Sequence, residues 1–226
     1  MPMPHATPAS AARPFACDGF VLAGGASSRF GSEKSLALLD GTPLIAHAIR
    51  LLSVAASHVR IAGAQTQSLA DYATIIPDIA PGSGPLAGVF AALQAASAQW
   101  LLFLPVDMPL IPPELLRVLV ARASVTRAPV TCLRLNGHIE PFPALVHRSI
   151  LPSVSAALAT HASCARLWSS LSNLDAPAVE SLLAAAQLPR LPIPVSLWWR
   201  SANTPGDLAF IEACCTRAFC APRQIP

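Results

Sequence analysis

Short runs of apolar residues alternate along the chain with longer stretches in which apolar residues recur at helical spacing. The short runs predict strands, and the longer stretches predict helices. The predicted strands are 19–22, 59–62, 74–77, 100–105, 129–133, 142–146 and a late one near 195–199. The predicted helices are 44–56, 85–98, 112–123, Ala/Leu/Ser-rich segments after residue 146, and a final one after Pro205.

The repeated order of strand and then helix predicts the fold class. This order is typical of βαβ units, which build a mostly parallel sheet with helices on both faces. A chain of 226 residues is long enough for one large domain. We therefore expect a single three-layer α/β domain over residues 17–213, with a mobile N-terminal tail at 1–16 and a C-terminal tail at 214–226. In such sheets, ligands bind beyond the carboxyl ends of the strands.

The composition favours a packed globule. Hydrophobic residues make up 53% of the chain and charged residues 12%. The charge of +3 is mildly basic, but Lys and Arg form no run, so no nucleic-acid partner is expected. The most apolar stretch, 100–106, is too short to cross a membrane, and the first residues do not resemble a secretory signal. The six cysteines form no CxxC pair. We expect reduced thiols and a cytoplasmic location.

A glycine-rich loop, LAGGASSRFGSEK at 22–34, follows the first predicted strand. Glycines in this place let backbone N–H groups approach an anion. Arg29 and Lys34 add positive charge that could hold three phosphates and stabilise a pyrophosphate leaving group. The loop has neither the Walker pattern nor the dinucleotide glycine pattern. On the residues alone, an ordinary glycine turn with a solvated Arg and Lys is an equal alternative.

Two further loops follow predicted strands and carry carboxylates. Asp78 precedes the glycine-rich segment 82–88, where a flat base could approach the backbone, although a helix-capping loop would also use these residues. Asp107 ends the most apolar strand, and because an unpaired buried charge is costly, it needs a partner. A hard divalent cation such as Mg²⁺ is one candidate. The alternative is a cap for the helix at residue 112.

Two later positions could lie near a second substrate. Asn203 precedes Thr204 and Pro205, which predict a helix start in which Thr204 caps and Pro205 opens the helix. Its amide could also face a metal ion or a substrate. His138 lies between two predicted strands, where it could meet an anionic substrate or lie in a solvated turn.

Four motifs, in this order, resemble those of the molybdenum cofactor guanylyltransferase family. They are Leu22-Ala23-Gly24-Gly25 with Arg29, Gly31 and Lys34; Gly84-Pro85-Leu86-Ala87-Gly88 with Asp78 before it; Asp107-Met108-Pro109; and Asn203-Thr204-Pro205-Gly206-Asp207-Leu208. The resemblance extends from about residue 20 to residue 208. It implies a Rossmann-like nucleotidyltransferase fold.

The resemblance also implies a role for each motif. The first loop would wrap the triphosphate of GTP, the second motif would recognise guanine, and Asp107 would bind Mg²⁺. The residues implied to bind the nucleotide are Leu22, Ala23, Gly24, Gly25, Lys34, Asp78, Gly84, Pro85, Leu86 and Gly88. Those implied to act in catalysis are Arg29, Lys34 and Asp107, and those expected on the side of the second substrate are Asn203 and His138.

The reaction that the resemblance implies transfers GMP from GTP to molybdenum-carrying molybdopterin and releases pyrophosphate. GTP and molybdopterin are then the small-molecule partners, other molybdenum cofactor proteins are candidate partners, and no membrane is expected. The sequence departs from the family at Ala62, where an Asn near the nucleotide is usual, and mildly at Phe30 and Glu33. Two alternatives stay open: a sister enzyme that uses CTP or a sugar phosphate, and a non-catalytic nucleotide-binding partner in cofactor delivery.

Overall fold

The computed structural model describes residues 15–24, 34–64, 66–78, 83–188 and 191–220, with side chains as far as residue 216. The strands are β1 (Asp18–Leu22), β2 (Leu38–Leu39), β3 (Thr42–Pro43), β4 (Val59–Ala62), β5 (Ile75–Ile76), β6 (Trp100–Pro105), β7 (Val130–Leu135), β8 (His138–His147) and β9 (Leu174–Asp175). The helices are α1 (Leu44–Leu52), α2 (Pro85–Ala95), α3 (Pro113–Thr126), α4 (Leu151–Ala159), α5 (Cys164–Ser170), α6 (Val179–Ala185) and α7 (Pro205–Cys220). Short 3₁₀ helices cover Lys34–Leu36, Gln67–Leu69, Arg148–Ile150 and Val195–Leu197.

Seven strands form one sheet in the order β5-β4-β1-β6-β8-β7-β9, and β2 and β3 form a separate hairpin. The first four strands in this order are parallel neighbours. β8 is antiparallel to both β6 and β7, and β9 is parallel to β7. Within the described sheet, β8 alone therefore runs against the other strands. The prediction of an α/β domain with a mostly parallel sheet is confirmed.

Helices cover both faces of this sheet. Along β6, Leu102 and Leu104 face one core, whereas Leu101 and Phe103 face the other. The first core is closed by α1, α3, α6 and α7. The second is closed by α2, α4 and α5. Because both faces of β6 are buried, its sequence is an unbroken apolar run rather than an alternating one. The sheet lies between two layers of helices, which makes three layers in all.

The late strand predicted near residues 195–199 is wrong. Val195–Leu197 is a 3₁₀ helix that begins after Pro194. Proline has no N–H to give to a strand ladder, and Pro192 and Pro194 both precede this segment. Its apolar residues are used differently, because the buried Trp198 donates its indole N–H to the Ile193 carbonyl oxygen at 2.9 Å.

The ends of the folded region also differ from the predicted boundaries. Helix α7 runs on to Cys220, beyond the boundary expected at residue 213. Phe15, which falls in the predicted N-terminal tail, packs against Trp100 with ring centroids 5.2 Å apart. The rest of the predicted tails, at 1–14 and 221–226, lies outside the described residues.

The five cysteines with described side chains are free. Burial raises the pKa of Cys17, Cys132 and Cys164 to about 12 each. These three thiols are therefore core residues with little thiolate near neutral pH. In the described part of the chain, no helix has both the length and the apolarity needed to cross a membrane.

Candidate functional site

The carboxyl ends of three parallel strands meet at one edge of the sheet. In the register of β1 with β6, Leu22 lies opposite Pro105. The N–H of Ala23 donates to the Ala62 carbonyl oxygen at 3.0 Å, which ties the first loop to the end of β4. Asp107 follows closely after β6. The first and third predicted loops therefore start side by side, where α/β sheets bind ligands.

Three polar side chains from distant parts of the chain form a cluster at this edge. Lys34 Nζ donates to Asp107 Oδ2 and to Asn203 Oδ1, at 2.7 Å in each case. The side chains of Lys34 and Asp107 are 17% and 19% exposed, so solvent still reaches the pair. The backbone is fastened as well, because the Ala202 N–H donates to the Asp107 carbonyl oxygen at 2.9 Å. The structure thus brings together three of the residues predicted from separate motifs.

Asp107 does not cap the helix that follows it. Helix α3 begins at Pro113 after Pro112, and no side chain makes a hydrogen bond to cap it. The capping alternative for Asp107 is therefore wrong. The Asp107 carboxylate instead forms an ion pair with Lys34.

Three glycines pack the first loop against its neighbours. A Cβ at Gly24 would lie 2.8 Å from the Gly63 carbonyl oxygen, which is too close for either backbone to stay in place. Gly63 has a φ of +81°, and a Cβ there would meet the Gly24 backbone at 3.4 Å. A Cβ at Gly88 in α2 would lie 3.0 Å from Leu22 Cδ2. Small residues at these positions let the first loop, the end of β4 and α2 approach one another.

The second predicted motif begins helix α2. Gly84 is its N-cap with a φ of +67°, Pro85 stands in the first turn, and no side chain caps the helix. The loop therefore caps α2 through Gly84 and not through Asp78. Asp78 instead lines a cavity of about 320 Å³ beyond β4 and β5, and the other residues that line this cavity are Ala64, Thr66, Gln67, Ile75 and Pro77.

Two more cavities meet at Asp107. The first, of about 250 Å³, is lined by Leu22, Ala23, Gly24, Lys34, Ser35, Pro85, Pro105, Val106, Asp107 and Asn203. The second, of about 460 Å³, lies towards β8 and α5, and its lining includes Ser83, Gly84, Leu86, Pro141, Phe142, Ser163 and Ser201. Pro85, Pro105 and Asp107 border both cavities. A group bound in one cavity can therefore reach a group bound in the other beside the Asp107 carboxylate.

Two tryptophans hold the wall of the second cavity. Trp168 in α5 donates its indole N–H to the Pro141 carbonyl oxygen at 3.1 Å, and Trp199 donates to that of Phe142 at 2.7 Å. Pro141 and Pro143 have no N–H for a strand ladder, and the pairing of β7 with β8 is irregular nearby. The indoles therefore satisfy carbonyl groups of β8 and tie them to α5 and to the segment that leads to Asn203.

The segment after Asn203 starts α7 as the sequence predicts. The Asp207 N–H donates to Thr204 Oγ1 at 3.1 Å, and Thr204 Oγ1 donates to Asp207 Oδ2 at 2.8 Å. The hydrogen bond from Thr204, with help from Arg200, lowers the pKa of the Asp207 carboxyl. This paired helix start gives Asn203 a defined position beside the cluster.

The predicted site residues fall into several places. The cavity of about 250 Å³ is lined by Leu22, Ala23, Gly24, Lys34, Pro85, Asp107 and Asn203. The cavity of about 460 Å³ is lined by Gly84 and Leu86, among others. Gly88 packs beneath the first loop. Gly25 and Arg29 lie outside the described residues. His138 is in β8 rather than between strands, is exposed, and lines none of these cavities. Burial raises the pKa of Glu140, two residues further along β8.

Sequence reasoning missed two contributors to the site. Gly63 follows Ala62, and its positive φ and its contact with Gly24 make it part of the support for the first loop. Trp199 falls in the late strand predicted near residues 195–199. Its indole donates to a carbonyl group 57 residues away, a contact that no local pattern signals.

Hard oxygen donors at the site are Asp107 and Asn203. No group of three or more His, Cys, Asp or Glu side chains in the described part of the chain could hold a metal ion. A carboxylate and an amide oxygen nevertheless suit Mg²⁺, which commonly binds one or two carboxylates and takes its remaining ligands from substrate phosphates and water. The donor set therefore fits an ion that arrives with a phosphate ligand better than an ion held by protein alone.

Comparison with known proteins gives a consistent picture. Residues 19–187 match the family model of the MobA-like NTP transferase domain. A probable molybdenum cofactor guanylyltransferase from Deinococcus radiodurans is 34% identical over 189 residues, which are 84% of this chain and 90% of that protein. The molybdenum cofactor guanylyltransferase of Photobacterium profundum is 34% identical over 62% of this chain and 73% of its own length. Among solved structures, molybdopterin-guanine dinucleotide biosynthesis protein A from Archaeoglobus fulgidus has a TM-score of 0.71 at 24% identity, covering 88% of this chain and 99% of that one.

Proposed function

The chain belongs to the family of MobA-like NTP transferases, and from this premise we propose that it transfers GMP from GTP to molybdenum-carrying molybdopterin and releases pyrophosphate. The relatives that are 34% identical carry the name molybdenum cofactor guanylyltransferase. The structural observation that supports the proposal most directly is the position of Asp107, paired with Lys34, at the border of two adjoining cavities. A transferase needs this arrangement, because two substrates must meet at one phosphorus atom.

The cavity of about 250 Å³ is assigned to the triphosphate. Gly24 brings backbone close to the ligand, and Lys34 supplies a positive charge on a flexible stem. Arg29, in the same loop, is proposed as a second cationic contact. These groups would neutralise the charge that develops on pyrophosphate as it leaves, which is a main source of rate enhancement in phosphoryl chemistry.

The cavity of about 460 Å³ is assigned to the pterin substrate, whose terminal phosphate would lie at the border that this cavity shares with the triphosphate cavity, beside Asp107. An oxygen of that phosphate attacks the α-phosphorus of GTP. A new phosphorus–oxygen bond forms while the bond from the α-phosphorus to the oxygen bridging the β-phosphorus breaks, and pyrophosphate leaves with the electron pair. Because the attacking oxygen is already anionic, no strong general base is required. The chain's contribution is positioning and charge neutralisation.

Mg²⁺ is the proposed metal ion, held by Asp107 and Asn203 together with phosphate oxygens. When bound, it would supply Lewis-acid polarisation of the phosphate and neutralise its charge. The carboxylate and amide oxygens that face the triphosphate cavity support this assignment.

Guanine recognition is assigned to Asp78 and the cavity that it lines. A carboxylate can accept hydrogen bonds from the ring N–H and the amino group of guanine. Ala62, which replaces the family's Asn, is fully buried and has no polar side chain, so it makes no such contact. Base selectivity should therefore rest on Asp78 and its neighbours, and an enzyme that uses CTP stays the chief competing function.

Thermal denaturation with each of four nucleoside triphosphates tests the base assignment. Saturation of the native state at a hundredfold excess over Kd adds ~2.7 kcal/mol to the free energy of unfolding. With Mg²⁺ present, GTP should raise the Tm more than CTP, UTP or ATP. Equal shifts from all four would contradict guanine specificity. The cytoplasmic location and contacts with other molybdenum cofactor proteins stay predictions.

A further inference from the structure

The ammonium group of Lys34 lies between the two oxygen atoms that a divalent cation would use. We propose that in the ligand-free protein the Lys34 ammonium group occupies the position between Asp107 and Asn203 that a divalent cation would take. Free divalent metal therefore binds weakly. Metal binds tightly only together with a triphosphate, because the triphosphate pairs with Lys34 and removes it from the two oxygens. This inference rests on the proposed function, because it takes a metal–triphosphate complex as the substrate. It adds an order of events, in which Lys34 leaves the two oxygens before the metal ion binds to them.

The contact distances support this role. Lys34 Nζ is 2.7 Å from Asp107 Oδ2 and 2.7 Å from Asn203 Oδ1, which are short, charge-assisted hydrogen bonds. A cation bound to the same two oxygens would overlap the ammonium group and repel its charge. The oxygens cannot easily move away to make room, because the Ala202 N–H holds the Asp107 backbone and Thr204 and Asp207 fix the start of α7.

A triphosphate offers Lys34 a better partner. Lys34 lines the cavity assigned to the phosphates, so its ammonium group can turn to a phosphate oxygen without a change of fold. A triphosphate carries several negative charges, whereas Asp107 carries one. The departure of Lys34 leaves Asp107 and Asn203 open to a cation. By linkage, the triphosphate then raises the affinity for metal by the same factor as the metal raises the affinity for triphosphate.

The chain's use of basic residues agrees with this role. Lys34 is its only lysine, and the other fourteen Lys and Arg positions are arginines. Arginine is a planar fork that pairs with a carboxylate through two bonds, whereas the lysine ammonium is a compact point charge on a flexible stem. A compact group can fill the position of an ion and then leave it. Lysine thus replaces arginine at the one position, Lys34, where the proposal needs a compact cation.

Binding of Mn²⁺ alone, followed by calorimetry and by the EPR signal of the free ion, tests the inference without any nucleotide. Wild-type protein should bind Mn²⁺ weakly. Lys34→Met, of similar length but without charge, should bind Mn²⁺ at least tenfold more tightly. Arg117→Met, on the exposed side of α3, makes the same change in net charge and should leave the affinity at the wild-type value. Adding Asp107→Asn to Lys34→Met should abolish the gain. Equal affinity of Lys34→Met and wild type, or an equal gain in Arg117→Met, would overturn the inference.

A second measurement uses unmodified protein, so it does not depend on whether a variant folds. With ¹³C-lysine labelling, the one lysine gives one Cε resonance, that of Lys34. Mg²⁺ alone should leave this resonance in place, and inorganic tripolyphosphate with Mg²⁺ should move it. A shift by Mg²⁺ alone as large as that with tripolyphosphate would refute the exchange. Neither assay scores transfer, so failure of the proposed function, seen as no pyrophosphate released from any nucleotide, is distinguishable from failure of this inference.

Discussion

The ammonium group of Lys34 lies 2.7 Å from the carboxylate of Asp107, although 73 residues separate the two in the sequence. Lys34 begins a 3₁₀ helix after the first loop, and Asp107 follows the central strand β6. The fold brings them together because β1 and β6 are parallel neighbours with their carboxyl ends in register. The pair connects the loop assigned to phosphate with the residue assigned to metal.

Replacing Lys34 should impair turnover and leave the fold intact. Lys34→Ala removes a charge-assisted contact proposed to strengthen in the transition state, which costs on the order of 2–4 kcal/mol, or roughly 30- to 900-fold in turnover. Lys34→Arg keeps the charge but should restore less than a tenth of the lost activity, because the guanidinium is larger and planar. Steady-state kinetics with thermal melting as a control checks both variants. Wild-type turnover in Lys34→Ala would show that Lys34 pairs with Asp107 without contributing to transfer.

Asp107→Asn should separate the roles of charge and shape. The substitution should abolish Mg²⁺-dependent turnover because it removes the anionic metal ligand. Metal-free stability should fall by less than about 1 kcal/mol, since the ion pair with Lys34 is partly exposed and the Asn oxygen can still accept from Lys34 Nζ. Turnover and chemical denaturation are measured on the same preparation. Retained turnover would remove the proposed metal site.

Gly24→Ala should displace the first loop. Its Cβ would lie 2.8 Å from the Gly63 carbonyl oxygen, so one backbone must shift. We expect a loss of about 1–3 kcal/mol in the free energy of unfolding, as for overpacking in general, and a GTP Kd raised at least tenfold. Gly206→Ala is the matched control, because its Cβ would lie 3.7 Å from the nearest atom and it stands in helix α7. That variant should keep the wild-type Kd and be about as stable or more so. Unchanged GTP binding in Gly24→Ala would mean that the loop does not hold the nucleotide.

Trp199→Phe should affect the second substrate more than GTP. The change keeps an aromatic ring but removes the N–H that satisfies the Phe142 carbonyl oxygen, at a cost of about 1–3 kcal/mol if that oxygen stays buried. We expect the KM for molybdopterin to rise several-fold and the KM for GTP to change less than twofold. Trp100→Phe, at the amino end of β6, should change neither KM. A larger rise in the KM for GTP would show that Trp199 supports a different cavity.

Much of the fold could be predicted because the signals are local. The unbroken apolar run of β6 and the prolines at the starts of α2 and α3 mark elements within a few residues. The prediction of a strand after Pro194 is wrong because it follows from the apolar residues there, including Trp198, whereas two prolines before them prevent strand pairing. Local apolarity shows that a residue is buried and does not show which backbone conformation buries it.

The site could be predicted only as separate loops. Each of Lys34, Asp107 and Asn203 stands out in its own motif, but their mutual contacts depend on the register of β1 with β6 and on the path of the chain before α7. The alternative of a helix cap at Asp107 is wrong for the same reason. From nearby residues a cap at Pro112 was reasonable, whereas the partner that Asp107 has comes from a loop 73 residues earlier.

The most direct measurement incubates the protein with molybdenum-carrying molybdopterin, Mg²⁺ and one of GTP, CTP, UTP or ATP, and follows the release of pyrophosphate. The proposed function predicts release with GTP at a rate at least tenfold above that with any other triphosphate, and no release when the pterin is left out. Preference for CTP, equal rates with all four, or no pyrophosphate from any of them would contradict guanylyl transfer.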